Sequence, residues 1–386
     1  MGGKVALVYS DDYLKYFFGP EHPLRPQRLV LMMELMKGIG LLSHPDLYIA
    51  EARMASEEEL KLVHSEAYLQ RVKKLDEIGV GYLDYGDTPA FKGMFSASAI
   101  LVGGSLKAAE LVVEGKAVHT FNPGGGMHHA ARDRGAGFCV FNDVAITARY
   151  LQKKYGLKKI MIVDIDCHHG DGTQEVFYDD PSVLTVSFHE DGRFLYPGTG
   201  FIDEVGEGEG KGYCVNVPLP PLTFSEAYLY AYNEVVPSLV KSYEPDIIIQ
   251  QCGVDTHFRD PLTTEALTLD CYEKIMEILH KLAHEATGGK LILLGGGGYD
   301  IGCTAKAWTL MVCKLLGVKP PEHTPPSWRE LYTKIALELG DVPRDPETMY
   351  DQEKPPLTYE KDRIFAVVRE TIKKLKETIS KYAPLF

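Results

Sequence analysis

The segment Ile162-Val-Asp-Ile-Asp-Cys-His-His-Gly-Asp-Gly172 joins a run of apolar residues directly to a cluster of acidic and histidine side chains. Because side chains alternate across a strand, Asp164, Asp166 and His168 are predicted to point to the same side of it. Burying two carboxylates and an imidazole together is costly unless a cation and hydrogen bonds compensate them. A lone Asp-x-Asp is more typical of a solvated loop, but the preceding apolar run favours a metal site at the end of a buried strand.

Short β-branched and apolar runs recur along the chain, separated by segments with helical spacing. The runs predict strands over residues 4–9, 117–120, 160–164, 183–188, 246–250 and 290–294. Helical patterns lie between them, for example over residues 225–242 and 269–286. Strands that alternate with helices indicate an α/β fold, a parallel sheet with helices on both faces.

Polar residues and glycines follow four of these predicted strands. They are Asn122-Pro-Gly124, the segment from Asp164 onward, Gly253-Val-Asp255 and Gly295 to Tyr299. Ligands of open α/β sheets bind beside the carboxyl ends of the strands. Four strands that deliver such residues to one edge indicate a functional site there more strongly than any single motif.

Composition and charge argue against several classes of function. The net charge of −13 and the lack of a long basic tract disfavour direct binding to nucleic acid or to a membrane surface. Seven scattered cysteines without a Cys-x-x-Cys pair fit reduced thiols in a cytoplasmic protein. The chain begins with a predicted strand instead of a signal segment, and we expect no run of the ~20 apolar residues that span a bilayer.

A proline-rich break between Lys319 and Pro326 interrupts the alternation of strands and helices. Residues 1–318 are predicted to form the α/β domain. Residues 319–386 are predicted to be a proline-rich linker, loops and an amphipathic helix from about Glu360, packed on that domain as an appendage.

Two adjacent histidines, His128 and His129, follow a glycine run that would let a substrate approach the backbone closely. Neighbouring histidines are usually ordinary surface residues, but Asp164 and Asp171 are predicted at the same edge of the sheet. Each aspartate could orient one histidine, which fixes its tautomer and raises its basicity.

A zinc ion on Asp166, His168 and one further carboxylate would keep an open position for water, as catalytic zinc sites do. Asp255 is the candidate third ligand, although alone it would indicate only the start of a turn. Tyr299 ends a loop of four glycines and could donate a hydrogen bond to an oxyanion opposite the metal. That loop lacks the other residues of phosphate-binding motifs.

These motifs resemble those of the zinc-dependent histone deacetylases of class I type and their prokaryotic relatives, especially the acetoin-utilisation deacetylases. The resemblance runs from about residue 5 to residue 316, and residues 16–23 favour the acetoin-utilisation branch. The motifs on which the resemblance rests are Gly124-Gly-Gly-Met-His-His-Ala130, Gly137-Phe-Cys-Val-Phe-Asn142, Asp164-Ile-Asp-Cys-His-His-Gly-Asp-Gly172, Pro197-Gly-Thr-Gly200 and Gly295-Gly-Gly-Gly-Tyr299.

The resemblance implies a three-layer arginase/deacetylase-type α/β fold around an eight-stranded parallel sheet, with residues 1–318 as the catalytic domain. It implies hydrolysis of acetyl-lysine, or of another short acyl-lysine, in proteins. His129 would act as general base and then as general acid. The residues implied to bind zinc are Asp166, His168 and Asp255, and those implied to act in catalysis are His128, His129, Asp164, Asp171 and Tyr299.

The resemblance also assigns residues around the substrate: Asp87, Gly137, Phe138, Tyr196 and Leu262. Phe138 and Tyr196 would wall the acyl-lysine tunnel, and family members usually have Phe where this chain has Tyr196, which leaves acyl preference open. Leu262 matches an apolar gate at which polyamine-deacetylating relatives can carry an acid. Asp87 would hold the substrate backbone, although an Asp before Thr-Pro is also a common turn residue.

The resemblance also implies that Arg28 lines a channel through which acetate leaves. A simpler interpretation is that Arg28 lies on the surface of an N-terminal helix. Two potassium sites are implied as well. The residues implied at those potassium sites are Asp164, Ser187 and Phe188 at one, and Phe177 and Tyr213 at the other.

The sequence leaves alternative functions open. An acetylpolyamine deacetylase would use the same chemistry, an arginase-like ureohydrolase would need two bridged metals, and a non-catalytic acyl-lysine-binding module would keep only the pocket. Fe²⁺ or Co²⁺ could replace zinc, because one imidazole and two carboxylates do not select it firmly. An acetylated acyl-CoA synthetase is a partner expected by analogy, and the oligomeric state is not readable.

Overall fold

An eight-stranded parallel sheet forms the centre of the computed structural model, which describes residues 4–355 and 360–386. The strands are β1 (Val5–Tyr9), β2 (Leu47–Glu51), β3 (His119–Asn122), β4 (Ile160–Asp164), β5 (Val183–Glu190), β6 (Cys214–Leu219), β7 (Ile247–Gln251) and β8 (Leu291–Leu294). Their order is β2-β1-β3-β8-β7-β4-β5-β6, and neighbouring strands are parallel. The predicted α/β fold with an eight-stranded sheet is confirmed.

Helices connect the strands and cover the sheet. They are α1 (Gln27–Gly38), α2 (Glu57–Leu60), α3 (Glu66–Ile78), α4 (Met94–Val113), α5 (Asp143–Tyr155), α6 (Asp171–Phe177), α7 (Ser225–Tyr243), α8 (Leu269–Thr287), α9 (Ile301–Leu316), α10 (Pro326–Glu338) and α11 (Lys361–Ile379). Every residue of β4, β7 and β8 is buried, as expected for parallel strands that are covered on both faces.

The strands β2 and β6 were not identified from the sequence, and both lie at an edge of the sheet. Only Leu47 of β2 is buried, and its other four residues are partly or fully exposed. The strand β6 contains Pro218, which cannot donate a ladder hydrogen bond and is tolerated mainly at an edge. Asn216 interrupts the apolar run of β6, and that of β2 stops after four residues at Ala50.

The prediction of loops between the proline-rich break and residue 360 is wrong in part, because α10 begins at Pro326. Proline is favoured at a first helical position, where its missing N–H is not needed. Trp328, Tyr332 and Ala336, spaced by four, form the buried face of α10. The indole of Trp328 donates a hydrogen bond to the carbonyl of Leu31 on α1 at 2.9 Å. The division of the chain at residue 318 stays a prediction.

The helix α4 contradicts the expectation that no segment is long and apolar enough to cross a bilayer. It has 20 residues and meets that requirement by length and composition alone. In the structure, 78% of its most apolar window is buried inside the protein, and α4 packs on β1 and β3. A single buried helix of this kind is weak evidence for a membrane span, because core helices pass the same test.

The central strands β3, β8, β7 and β4 end side by side at one edge of the sheet. Asn122 at the end of β3 pairs with Leu294 of β8, and Asp164 at the end of β4 pairs with Gln251 of β7. The loops that leave these strands are therefore neighbours, although they are far apart in the sequence.

Candidate active site

The three predicted metal ligands, Asp166, His168 and Asp255, meet at this edge of the sheet. Each offers one ligand atom, and these atoms lie within 4.8 Å of one another. His168 Nδ1 lies 2.8 Å from Asp255 Oδ2 and 3.2 Å from Asp166 Oδ1, and all three residues are buried. One imidazole and two carboxylates form a donor set that suits a divalent cation with an open coordination position.

The ligands lie just beyond the strand and not in it, because β4 ends at Asp164. The backbone N–H of Asp166 donates to Asp164 Oδ1, and the backbone N–H of His168 donates to Asp166 Oδ1, both at 3.1 Å. Carboxylates that accept from the N–H two residues on are typical of Asx turns. These two hydrogen bonds order the loop that presents the ligands.

Neighbouring donors fix the outer oxygens of both carboxylates. Asp166 Oδ2 accepts from Gln251 Nε2 and from the N–H of Gly297, both at 2.8 Å. Asp255 Oδ1 accepts from the N–H of Cys167 at 2.7 Å. Such second-sphere contacts orient metal ligands, and here they leave Asp166 Oδ1 and Asp255 Oδ2 beside His168.

Glycines pack directly against this carboxylate pair. A Cβ on Gly297 would lie 2.8 Å from Asp166 Oδ2 and closer still to Asp255 Oδ2. A Cβ on Gly253 would clash with the carboxylate of Asp166. The glycines thus provide the space that the ligand carboxylates occupy.

The electrostatics of the cluster favour a bound cation. Burial and the neighbouring Asp166 raise the pKa of Asp255 above its usual range. Burial lowers the pKa of His168, but its hydrogen bonds to the two carboxylates outweigh this effect and raise it well above the usual value. A proton held by this cluster compensates the two buried carboxylates only in part, whereas a divalent cation would compensate both.

Two histidine–aspartate pairs lie beside the metal ligands. His128 Nδ1 lies 2.7 Å from Asp164 Oδ2, and His129 Nδ1 lies 2.7 Å from Asp171 Oδ1. The Nε2 atoms of the two histidines are 3.0 Å apart. The structure therefore pairs each histidine with one aspartate, as predicted, and each ring turns its Nε2 away from its aspartate.

The two rings have opposite tendencies to bind a proton. Burial lowers the pKa of His128, but Asp164 and Asp166 outweigh this effect and raise it to about 9. Burial and the neighbouring His128 lower the pKa of His129 to about 4. The neighbouring groups thus favour a proton on His128 over one on His129.

Tyr299 is held rigidly at the end of the glycine loop. Its backbone N–H donates to Asp260 Oδ2 at 2.8 Å, and the next residue, Asp300, caps α9. The Tyr299 ring packs edge-to-face on Phe138 at 5.7 Å. Burial and the neighbouring Asp255 raise the pKa of the Tyr299 hydroxyl well above its usual value, so that the hydroxyl stays protonated and can donate a hydrogen bond.

Phe138 and Gly137 form one wall of the cavity over the site. Both have positive φ, 68° and 52°, which is unusual for a phenylalanine. The Phe138 carbonyl accepts from the Tyr16 hydroxyl at 2.6 Å, and its N–H donates to Thr88 Oγ1 at 3.1 Å. A Cβ on Gly137 would clash with the His129 ring. The strained conformation is thus fixed from both sides and places this wall against the ring of His129.

Tyr196 lies beside the site, and Leu262 lines a neighbouring cavity that Tyr299 also lines. Tyr196 is 41% exposed, and its ring lies 5.3 Å from that of His129. Leu262 is 37% exposed, and its N–H donates to Asp260 Oδ1 at 3.0 Å. Asp260 therefore links the segment of Leu262 to the loop of Tyr299.

Asp87 is exposed in a loop beside this cavity. The loop is organised by Asp84, whose Oδ1 accepts from the N–H groups of residues 86, 87 and 88 at 2.9 Å each. Thr88 in turn accepts from Phe138. Asp87 is thus adjacent to the Phe138 wall, and its contact with a substrate stays a prediction.

Arg28 is buried and not on the surface. Its Nη1 donates to the carbonyl of Gly298 at 3.1 Å, and its guanidinium lies 5.0 Å from the Trp308 ring centroid. A small cavity that Arg28 lines shares Leu24 and Met127 with the cavity over the site. This placement is compatible with an internal channel.

The residues implied at the first potassium site lie on the neighbouring strands β4 and β5. Ser187 pairs with Asp164 across β5 and β4. The Phe188 side chain lies in the core. The guanidinium carbon of Arg149 lies 4.6 Å from the centroid of the Phe177 ring. Both potassium sites stay predictions.

Three residues that hold the site were not found from the sequence. Gln251 had an available signal, because two glutamines end the otherwise apolar strand β7. Asp143 accepts from the N–H groups of Gly126 at 3.0 Å and Met127 at 2.7 Å, which fixes the glycine run before the histidines. Asp260, which holds Tyr299, lies in an irregular loop without a distinguishing pattern.

Comparison with protein families gives a match to the histone deacetylase domain over residues 22–315. Two similar curated proteins are the acetoin utilization proteins AcuC of Bacillus subtilis and Staphylococcus aureus. The first is 44% identical over 354 residues, which cover 89% of this chain and 91% of the relative. The second is 43% identical over 321 residues, which cover 81% of this chain and 82% of the relative.

Similar solved structures agree with the sequence matches. A histone deacetylase homologue crystallised with SAHA superposes with a TM-score of 0.85 at 32% identity and covers 97% of this chain and 100% of its own. A homologue from Aquifex aeolicus gives a TM-score of 0.84 at 33% identity with the same coverage.

Proposed function

Since the chain belongs to the histone deacetylase family, we propose that it is a zinc-dependent deacetylase that removes acetyl groups from lysine ε-amino groups in proteins and releases acetate. Family membership supports deacetylase chemistry and a requirement for a metal. Lysine specificity, zinc and acetate release are the proposed parts. These parts are supported by one observation: the three proposed metal ligands and the two histidine–aspartate pairs lie at one cavity, which Tyr299 also lines.

Asp166, His168 and Asp255 would hold the metal. Their inner atoms converge, their outer oxygens are fixed by other donors, and the two buried carboxylates need a cation. Bound Zn²⁺ would act as a Lewis acid on the acetyl carbonyl and would lower the pKa of a water. Fe²⁺ and Co²⁺ accept the same donor set, so the choice of zinc is part of the proposal.

His129 would act as the general base. It is neutral at pH 7, and Asp171 fixes its ring through Nδ1, which leaves Nε2 to take a proton from the attacking water. His129 would then return that proton to the leaving lysine amine. The protonated His128, with Asp164 behind it, would keep the pair electrostatically balanced during this transfer.

Tyr299 would stabilise the charge that develops on the former carbonyl oxygen. Its hydroxyl stays protonated and its backbone is fixed by Asp260, so the donor is oriented before the reaction begins. Hydrogen bonds prepared in this way cost no reorganisation in the transition state.

The mouth of the site favours a lysine side chain over a polyamine. Phe138 and Tyr196 offer aromatic surfaces to an aliphatic chain, and Leu262, which lines the neighbouring cavity, would place an apolar side chain at the rim. A second cationic amine, which a polyamine carries, is best bound by an acid, and Leu262 cannot supply one. Asp87 would accept a hydrogen bond from the substrate backbone.

An acetylated acyl-CoA synthetase is the proposed protein partner, in analogy to relatives named for acetoin utilization. A cytoplasmic location is proposed with it. The bacterial relatives and the seven free, buried cysteines support this location.

The proposal is tested by incubating the zinc-loaded protein with an acetyl-lysine peptide and, separately, with acetylspermidine, and measuring acetate. We expect release from the peptide that a hydroxamate chelator blocks. His129→Ala should abolish this release, whereas His323→Ala, a change at an exposed histidine, should not alter it. A higher kcat/KM for acetylspermidine would indicate a polyamine deacetylase. Peptide binding without acetate release would indicate a binding module.

A further inference from the structure

Three histidines meet at the edge of the sheet opposite the candidate active site. His119 is the first residue of β3, whereas the active-site loop follows the last residue of this strand. His280 and His284 lie on α8, shortly before the start of β8. Because the two are four residues apart, they share one face of the helix.

The three rings converge through the same atom, Nε2. His284 Nε2 lies 3.2 Å from His119 Nε2 and 3.0 Å from His280 Nε2. The rings pack edge-to-face, with centroids 4.7 to 5.0 Å apart. All three offer a ligand atom within 4.8 Å of the others.

Hydrogen bonding alone does not account for this convergence. A neutral imidazole has one N–H and one lone pair, so a single Nε2 either donates or accepts. His284 Nε2 therefore cannot make two well-formed hydrogen bonds to the other two Nε2 atoms at once.

A metal ion would use all three lone pairs. With metal–nitrogen bonds of 2.0–2.1 Å, neighbouring ligand nitrogens in octahedral and tetrahedral sites lie roughly 2.9–3.4 Å apart. The observed distances of 3.0 and 3.2 Å fall in this range. We propose that His119, His280 and His284 form a second metal site, which takes a divalent first-row transition metal, with Zn²⁺ as the expected occupant.

The environment allows an ion to enter and to keep an exchangeable ligand. His119 is buried, whereas His280 and His284 are half-buried and border solvent. The cluster contains no carboxylate, so the bound ion would keep its full charge. Its remaining coordination positions would take water or a small anion.

A bound ion would tie β3 to α8. The helix α8 also packs on β7, β8, α7 and α9, so the link would reinforce the centre of the sheet at its amino edge. Since binding to the native state alone stabilises it, zinc at about 100 times its Kd should raise Tm by about 3 °C for a chain of this length.

The test is the zinc content after dialysis of four full-length proteins: wild type, Asp255→Asn, His284→Ala and the double variant. We expect two, one, one and no equivalents, respectively. His280→Ala should lose the same equivalent as His284→Ala, and His323→Ala should lose none. Cobalt-loaded Asp255→Asn should show a visible d–d spectrum that the double variant lacks.

His284→Ala is compared with wild type and, in the double variant, with Asp255→Asn. The loss of the second zinc equivalent can therefore be measured whether or not the candidate active site binds zinc. Because His284 lies outside the candidate active site, acetate release by His284→Ala shows that this variant is folded. If no protein releases acetate, circular dichroism provides the same control. An unchanged zinc content on His284→Ala and His280→Ala would overturn the proposal.

Discussion

Gly297→Ala is expected to damage the proposed metal centre without replacing a ligand. Alanine can adopt the local backbone, because Gly297 is not among the glycines with positive φ. Its Cβ, however, would lie 2.8 Å from Asp166 Oδ2 and closer still to Asp255 Oδ2, whereas ordinary contacts begin at 3.4 Å. The hydrogen bond from the Gly297 N–H to Asp166 prevents a simple retreat of the loop.

At least one carboxylate must therefore move by about 1 Å, which is several times the ±0.2 Å that metal–ligand distances tolerate. Loss of ligand orientation typically costs about 10–100-fold in metal affinity. A misplacement of about 1 Å at a catalytic group costs about 10²-fold in turnover. We expect losses of this size in the zinc Kd and in kcat measured at saturating zinc.

Zinc affinity is measured by competition with a chromophoric chelator, and kcat by acetate release. Gly317→Ala is the matched control, because Gly317 has a φ of +66° but nothing lies within 4 Å of its added Cβ. This control should lose some stability and keep wild-type zinc affinity. Wild-type zinc affinity and turnover in Gly297→Ala would refute the assigned role of the glycine loop.

Tyr299→Phe should lower kcat by ~10²–10³, the usual effect of one oxyanion donor. The control Tyr196→Phe removes the hydroxyl of a partly exposed residue and should change kcat little. Equal effects of the two substitutions would contradict the role of Tyr299. Chelation of the metal should lower Tm and abolish acetate release, and added zinc should restore both; a chelated protein with full activity would exclude metal catalysis. Burial lowers the pKa of His64 to about 4, so its contribution to stability is fully present above pH ~6.5 and is lost as pH falls toward 4, by about 2 kcal/mol at pH 5. Urea unfolding at pH 7.5 and pH 5 should therefore show a smaller pH dependence for His64→Gln than for wild type, and identical dependence would be evidence against a buried neutral ring.

The central strands could be predicted because burial on both faces requires continuous apolar runs, such as those of β4 and β8. The edge strands give a weaker signal, because β2 is partly exposed on both faces and Asn216 and Pro218 interrupt the apolar residues of β6. The helix α10 was missed because its prolines indicated a break, although the spacing of Trp328, Tyr332 and Ala336 was readable.

The ligand cluster could be predicted because each ligand directly follows a buried strand, and the ends of parallel strands meet. The residues that orient the ligands depend on tertiary contacts that no local pattern encodes. Asp260 reaches Tyr299 across 39 residues, and Gln251 reaches Asp166 across 85. The histidines of the second cluster were overlooked for the same reason, because His119 belongs to a different element from His280 and His284.

The position of β8 in the sheet has a consequence for biosynthesis. This strand is the last of the eight to be synthesised, yet it lies between β3 and β7. Until residue 294 has left the ribosome, the nascent chain can form only a three-stranded piece, β2-β1-β3, and a four-stranded piece, β7-β4-β5-β6, with no strand to join them. His129 follows the last strand of the first piece and Asp255 follows β7 of the second, so a chain interrupted before β8 lacks the strand that joins the two parts of the candidate active site.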